Sequence, residues 1–509
     1  MKKFFQVFFL GVFTLLFFLS FFPSYSWGPI NYYFRTDPLI AIISMVASRR
    51  IIPPLFFSLL LLAFTAGIGR FFCAYLCPLG AIIDGSDFVF FKKKGEFRRK
   101  NISLKRFKYY LLILLVSAAL TGLSLVYFLD PLVILGRFYT FFLYPLSVLI
   151  INKALDIIRP VASLFEWNSL VYLSLIQPVF YSGFITLTIF FTIILLGAMA
   201  PRFWCRNLCP LGAMLSAFSR FGAFKRRVSD DCNDCMLCVN VCPMDAIERE
   251  DPRKTRFQEC IQCLSCQKIC PQQAISFPFS VKNAASSTFN LSRRGFLSSI
   301  GTGITASFLI LVTPKSRFRS ERLIRPPGAI PEEVFNQTCI RCGQCLEACL
   351  TNTLQPSIWE AGLKGLWTPR MDLRYAGCEQ NCNRCGKVCP SQAIRSLDLE
   401  EKRHAKVGTA VIDRDLCLVW RQDQICLICD EACPYNAIVF REVNNIRRPF
   451  VIENKCNGCG YCENRCPIEG RSAIVVYPHG EIRLLKGSYR AEAHLRKLDI
   501  RKDSSYDYF

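Results

Sequence analysis

Four long apolar stretches, separated by polar segments, occupy roughly the first 215 residues, and a milder fifth follows later. A bilayer crossing needs ~20 apolar residues. The pattern predicts spans at Phe4–Phe22, Ile51–Gly69, Tyr110–Leu129 and Phe180–Ala200, and a fifth at Gly295–Thr313. The first follows Lys2 and Lys3 and has no small-residue cleavage site, so it is expected to be retained. Residues 92–108 carry nine Lys or Arg, and a short basic loop stays cytoplasmic. The N-terminus and the segment after residue 200 are therefore expected on that side. From there on the chain is polar and dense in cysteine.

The apolar part is duplicated. Arg70–Ala81 reads RFFCAYLCPLGA and Arg202–Ala213 reads RFWCRNLCPLGA, identical at nine of twelve positions. Asp-Pro-Leu precedes each, at Asp37 and at Asp130. The second unit carries an insertion of about 39 residues, near 138–178, expected as interfacial helices or an extra pair of spans. Parallel repeats imply a pseudo-twofold axis along the membrane normal. Cys73 and Cys77 would then face Cys205 and Cys209, which gives four thiolates at one place. Such a set suits an iron–sulfur cluster or a tetrahedral metal; the alternative is four buried, unligated thiols. Asp37 and Asp130 read first as helix N-caps with Pro at the first helical position. As buried carboxylates they are also candidate proton acceptors for a quinol.

Composition narrows the chemistry. There are 28 cysteines and three histidines, His404, His479 and His494. No Cys-x-x-Cys-His occurs, and the apolar half has no histidine, which excludes attached c-type haem and bis-histidine haem b there. No nucleotide-binding glycine motif, flavin motif or nucleophile triad stands out. The formal charge is +23. Each cluster of four thiolates around a 2+ core adds about −2, so seven sites would lower this to about +9. The remaining basic charge lies mostly beside the spans, and nucleic acid is not an expected partner.

Twenty-four cysteines form six quartets. Cys232, Cys235, Cys238 and Cys242, like Cys260, Cys263, Cys266 and Cys270, follow C-x2-C-x2-C-x3-C-P, the bacterial ferredoxin signature. In a two-cluster module the fourth cysteine reaches across. One [4Fe-4S] cluster is expected on Cys232, Cys235, Cys238 and Cys270, the other on Cys260, Cys263, Cys266 and Cys242. Cys339, Cys342, Cys345 and Cys349 keep the spacing, with Leu350 in place of proline. Cys378, Cys382, Cys385 and Cys389 have one extra residue in the first gap. Cys417, Cys426, Cys429 and Cys433 have eight residues there, and Cys456, Cys459, Cys462 and Cys466 are regular. Zinc ribbons would not explain the third and fourth cysteines followed by proline. Spacing leaves the pairing of the last four quartets open: sequential, or first with fourth and second with third.

Between these groups, Ser292-Arg293-Arg294-Gly295-Phe296-Leu297 matches a twin-arginine export signal, whose route carries folded proteins. The other reading is an ordinary fifth span. In both, the chain crosses here, although Lys315, Arg317, Arg319, Arg322 and Arg325 follow on the outer side, against the positive-inside tendency.

Residues 1–280 resemble the NapH-type membrane ferredoxins, and residues 291–509 the NapG/MauM-type periplasmic ferredoxins. The resemblance implies a fusion, a multi-domain protein. Its parts would be an α-helical membrane domain of two repeats (1–220), a cytoplasmic α+β 2[4Fe-4S] ferredoxin domain (221–280), a linker with the fifth span (281–330), and a periplasmic α+β four-cluster domain (331–509). It further implies a protein of the bacterial cytoplasmic membrane that oxidises quinol from the quinone pool. Electrons would pass through six [4Fe-4S] clusters, and a seventh site at the paired cysteines, to a periplasmic c-type cytochrome or terminal reductase. Other membrane electron-transfer subunits, or the quinone itself, would bridge the gap between the two faces. Alternatives are an electron-supplying assembly factor for a periplasmic metalloenzyme, and a membrane-anchored cytoplasmic ferredoxin hub.

Overall fold

The computed structural model describes residues 2–21, 31–90, 104–181, 183–279, 291–312 and 322–501. Most of the basic loop at 92–108, residues 281–290 and 313–321 of the linker, and with them Lys315, Arg317 and Arg319, lie outside them. The chain divides into two compact units. One holds Met1–Phe22, Pro29–Gly136 and Ile185–Val312; the other holds Arg137–Phe184 and Thr313–Phe509.

In the first unit, α1 is Lys2–Phe21, α2 Pro38–Ser48, α3 Ser58–Gly67, α4 Phe71–Tyr75 and α5 Pro78–Phe90. The second repeat follows with α6 Phe107–Leu120, α7 Pro131–Phe138, α8 Tyr144–Leu164, α9 Gly183–Leu195, α10 Phe203–Asn207 and α11 Pro210–Phe218. By length and composition, Lys2–Ser20 and Pro131–Leu164 are apolar enough to cross a membrane. Pro38–Ser48, Pro53–Gly67, Phe107–Leu120 and Gly183–Ala198 are shorter apolar helices. The helix expected over Tyr110–Leu129 therefore ends early, at Leu120. Gly122 at φ 88° provides the left-handed turn that stops it.

Four helices open with the same device. Asp37-Pro38-Leu39, Cys77-Pro78-Leu79, Asp130-Pro131-Leu132 and Cys209-Pro210-Leu211 start α2, α5, α7 and α11. Proline costs nothing at the first helical position, and the preceding side chain accepts the orphan N–H groups. Asp37 Oδ1 accepts from Leu39 N at 2.8 Å and Ile40 N at 3.2 Å. Asp130 Oδ1 accepts from Leu132 N and Val133 N, both at 2.9 Å. Cys77 Sγ accepts from Gly80 N at 3.4 Å and Cys209 Sγ from Gly212 N at 3.3 Å. The sequence repeat is thus a repeat of helix starts.

The helix α12, Arg293–Val312, lies along α6 with the same polarity. Tyr110 Oη meets Ser292 Oγ at 3.2 Å near their starts. Further along, Gly303 fits against Ser117, where a Cβ would stand 2.0 Å from Ser117 Oγ. Residues 223–279 form the small ferredoxin-like module, closed by the two-residue strands β1 Arg227–Val228 and β2 Ile275–Ser276.

In the second unit, Tyr139–Leu143 widens into a π-turn just before Pro145, whose missing N–H breaks the α ladder. The insertion of the second repeat, including α8, packs with the C-terminal module. Asn352 Nδ2 and Gln355 Nε2 donate to Val179 O at 3.3 and 2.9 Å, and Arg137 stacks 4.0 Å above the Trp367 ring. That module holds three antiparallel pairs: β3 Leu354–Pro356 with β4 Pro369–Met371, β5 Thr409–Ile412 with β8 Ile474–Tyr477, and β6 Ile438–Val443 with β7 Ile446–Val451. The last is a hairpin turned by Asn444 and Asn445 at φ 55° and 59°, the left-handed pair a two-residue loop requires.

Candidate functional site

Each regular quartet has the same backbone. The residue before the second cysteine (Asp234, Gln262, Arg341, Gly458) and the one after it (Met236, Leu264, Gly343, Gly460) all have φ between 52° and 85°. Five of the eight are not glycine, and the left-handed conformation costs each of these roughly 1 kcal/mol or more. Such turns aim successive N–H groups at one point, as an anionic cluster requires. Backbone N–H groups reach the sulfurs: Gln262 N to Cys260 at 3.4 Å, Ala246 N to Cys242 at 3.3 Å, Ala437 N to Cys433 at 3.3 Å and Ala473 N to Cys466 at 3.4 Å.

The fourth cysteine crosses to the partner quartet. Cys242 lies beside Cys260, Cys263 and Cys266, and all four line one small cavity. Cys238 neighbours Cys232 and Cys235, and packs in one cluster with Cys270. In the C-terminal module the pairing is sequential. Cys389 joins Cys339, Cys342 and Cys345, while Cys349 joins Cys378, Cys382 and Cys385. Cys433 joins Cys456, Cys459 and Cys462, and Cys466 joins Cys417, Cys426 and Cys429. Cys378 N donates to Cys459 O at 2.8 Å, so the second and third of these sets touch.

The paired cysteines of the apolar repeats also meet. Cys209 lies within electrostatic reach of Cys205, Cys73 and Cys77, and Cys77 within that of Cys205 and Cys73. This foursome abuts the ferredoxin-like module: Ala74, Met244, Ala246 and Ile261 form a core against which Cys73, Cys205, Cys242, Cys260 and Cys263 pack. Asp37 and Asp130 come together too. Both are fully buried, and beyond their capping roles their carboxyls meet at hydrogen-bonding range. Two carboxyls in such contact hold a proton between them, because adjacent negative charges repel.

Comparison with known proteins agrees with this arrangement. Residues 51–98 and 182–229, which contain the two cysteine pairs, each match the 4Fe-4S binding domain family. Residues 231–275 and 424–469 match 4Fe-4S dicluster domain families. The ferredoxin-type protein NapG of Escherichia coli (strain K12) is 38% identical over 167 residues, 30% of this chain and 70% of the relative. The methylamine utilization ferredoxin-type protein MauM of Methylophilus methylotrophus is 34% identical over 172 residues, 31% and 73%. NapG of Haemophilus influenzae is 33% identical over 227 residues, 39% and 76%.

The chain belongs to the NapG/MauM family of ferredoxin-type proteins.

As a NapG/MauM-type ferredoxin it is an iron–sulfur electron-transfer protein with several [4Fe-4S] domains. The donor groups fit that cofactor. Burial pushes the thiols of Cys260 and Cys429 up to about 12 and those of Cys266 and Cys339 to about 11, so they ionise only against a cationic core. Among the described residues no three Cys, His, Asp or Glu side chains close on a single metal ion.

Two residues that the cysteine spacing does not single out complete the site. Arg202 and Arg70, each three positions before the first cysteine of a pair, reach into the opposite repeat. Arg202 Nη1 donates to Cys73 O at 2.8 Å, and its Nε and Nη2 clamp Asp84 at 2.6 and 2.8 Å. Arg70 approaches Gly212, where a Cβ would stand 3.0 Å from Nη2, and donates to Gln258 O at 2.9 Å. Both arginines are buried beside the cysteines and supply positive charge where four thiolates would gather. The shared Arg-Phe-x-Cys of the repeat is the sequence signal for them. Glu259 fastens the module: it is buried and accepts from Lys108, from Tyr109 at 2.8 Å and from Arg70 at 3.4 Å. Burial alone would raise its carboxyl, but Lys108 and Arg70 hold it below the usual range.

Proposed function

We propose that this protein is a membrane-bound quinol-oxidising electron-transfer protein, a NapH-type membrane ferredoxin fused to a NapG/MauM-type periplasmic one. One observation carries the reading: cysteines from two apolar repeats converge, and they do so against a ferredoxin thiol set. In this reading Cys73, Cys77, Cys205 and Cys209 hold a seventh iron–sulfur or metal centre, and the six quartets hold six [4Fe-4S] clusters. When bound, these centres supply one-electron redox chemistry. The chain's own residues keep the path short and dry. Ala74, Ala246 and Ile261 fill the space between the membrane foursome and the set of Cys242, and Arg70 and Arg202 offset thiolate charge.

The same polarity of α6 and α12 supports export of the C-terminal half, since a chain that leaves the cytoplasm along α6 leaves it again along α12. In that half each thiol set neighbours the next, and the last in that order is Cys417, Cys426, Cys429 and Cys466. Ile425 (95% exposed), Leu427 and Ile428 stand out beside Cys426. Such an apolar patch next to a terminal centre suits docking of a periplasmic c-type cytochrome or terminal reductase.

The test is reduction in proteoliposomes. Anaerobic addition of a quinol is expected to bleach the iron–sulfur absorption and produce reduced-cluster EPR signals. Clusters that dithionite reduces and no quinol reduces would reject the reading.

A further inference from the structure

Arg226 stands one residue before β1, at the start of the ferredoxin-like module. Side chains alternate along an extended chain, so Arg226 and Val228 turn inward while Arg227 is exposed. Val228 packs with Cys238, Ile247, Cys266 and Ile275. Arg226 is 4% exposed. Its Nη1 donates to Pro252 O at 2.9 Å and to Thr255 Oγ1 at 2.8 Å, and its Nη2 donates to Cys238 Sγ at 3.4 Å.

A buried charge ordinarily has a counter-charge. Arg70 and Arg202 obey this, with Glu259 and Asp84. Arg226 is held by a carbonyl, a hydroxyl and a sulfur, and among the described residues no carboxylate pairs with it. Its negative partners are therefore the cysteine sulfurs once they are ionised. It reaches both sets of the module. Cys238 stands with Cys232, Cys235 and Cys270, and Cys266, also within electrostatic reach of Arg226, stands with Cys242, Cys260 and Cys263. Arg226 also lines the small cavity of that second set. One guanidinium thus serves two thiol sets.

We propose that Arg226 sets the reduction potentials of both [4Fe-4S] clusters of this module, through one fixed positive charge beside the two thiol sets and a hydrogen bond to Cys238 Sγ. Net charge and hydrogen bonds to sulfur tune such centres. One-electron reduction adds a negative charge to a four-thiolate cluster, and a cation held in a low-dielectric interior favours the reduced form. Arg226 therefore raises both potentials. The Cys238 set receives the hydrogen bond as well, so it depends on Arg226 more than its neighbour does. The inference concerns how readily the module accepts electrons and holds whether or not a quinol delivers them.

The test is a dithionite titration with redox mediators, read by EPR, of the full-length holoprotein and of Arg226→Met and Arg226→Lys. The signals of the two centres are those that Cys235→Ser and Cys263→Ser disturb. In Arg226→Met, at native iron content, the reduction equilibrium constant of the Cys235 centre is expected to fall about tenfold or more, which is about 59 mV for one electron. That of the Cys263 centre should fall about threefold or more, and the remaining centres should not move. Arg226→Lys keeps the charge and loses the bond to Cys238, so the Cys235 centre should fall about threefold and the Cys263 centre less than about twofold. Native potentials in Arg226→Met, or falls in Arg226→Lys as large as those in Arg226→Met, would overturn the assignment. Should Arg226→Met fail to load iron, Arg226→Lys decides alone: no fall at the Cys235 centre, or an equal fall at both centres, overturns it. Loss of iron from both variants would make Arg226 a structural brace and overturn it as well.

Discussion

Arg202, in the second repeat, donates to the backbone carbonyl of Cys73, in the first, at 2.8 Å. Arg202 therefore braces the half of the site opposite to Cys205 and Cys209, the two cysteines that follow it in its own repeat. Arg202 is fully buried and clamps Asp84 through two nitrogens. Asp84 is partly exposed and keeps Lys2 and Gln6, each at 2.7 Å, so losing Arg202 costs less than the ~3–5 kcal/mol of a stranded buried charge. Arg202→Met is expected to lower stability by about 1–3 kcal/mol, read as a fall in Tm in detergent, and to lower the metal content of the paired-cysteine site. Wild-type stability and metal content in this variant would show that the cross-repeat clamp is idle.

Asp37 and Asp130 each cap a helix and also meet one another. Asparagine caps a helix about as well as aspartate, whereas alanine loses roughly 1 kcal/mol per cap. Asp37→Ala and Asp130→Ala should each destabilise by about that amount. The double Asp→Asn variant should keep its Tm within a few degrees and lose only the proton the pair shares. If that variant oxidises quinol at the native rate, the pair is structural alone; a fall with unchanged Tm would mark it as a proton acceptor.

Glu332, in the C-terminal module, lies between Arg325 and Arg483, at 2.7 Å from each. Burial would raise its carboxyl, but the two arginines hold it down at about 2. Its contribution is present above the ordinary glutamate range and is lost as pH falls from about 4.5 towards 2. The amount is on the order of 3 kcal/mol. Glu332→Gln should flatten acid destabilisation in that window and leave the pH 6–8 stability profile no steeper, as urea unfolding across pH would record.

The crossed pairing is separable by mutation. Cys389 stands with Cys339, Cys342 and Cys345, not with its own quartet. Cys389→Ser should disturb the same EPR signal as Cys342→Ser. A match to the signal lost in Cys382→Ser would contradict the arrangement.

How much of this was readable beforehand differs by residue. Regular spacing such as Cys260-x2-Cys263-x2-Cys266 dictates a local loop, so sequence alone locates the quartets. The sequential pairing of the last four is not legible, because it depends on which chain segments pack, as Cys378 does on Cys459. The end of α6 at Leu120 is set by one glycine dihedral inside an otherwise apolar run. Arg70 and Arg202 stand in the visible repeat, but their crossing to the opposite half depends on how the two segments pack together. The repeat shows equivalence and not who reaches whom. Arg226 is one of three consecutive basic residues, and nothing in that run signals which of them turns inward.

The most direct measurement is iron and sulfide per chain on anaerobically purified protein, for the native sequence and for Cys205→Ser. Six [4Fe-4S] clusters account for about 24 irons, and a further centre on Cys73, Cys77, Cys205 and Cys209 adds about two to four. The account predicts about 26 to 28 irons in the native protein, about 24 in Cys205→Ser, and an unchanged ferredoxin-type EPR spectrum. Equal iron in both, at about 24, with no other metal bound, would contradict it.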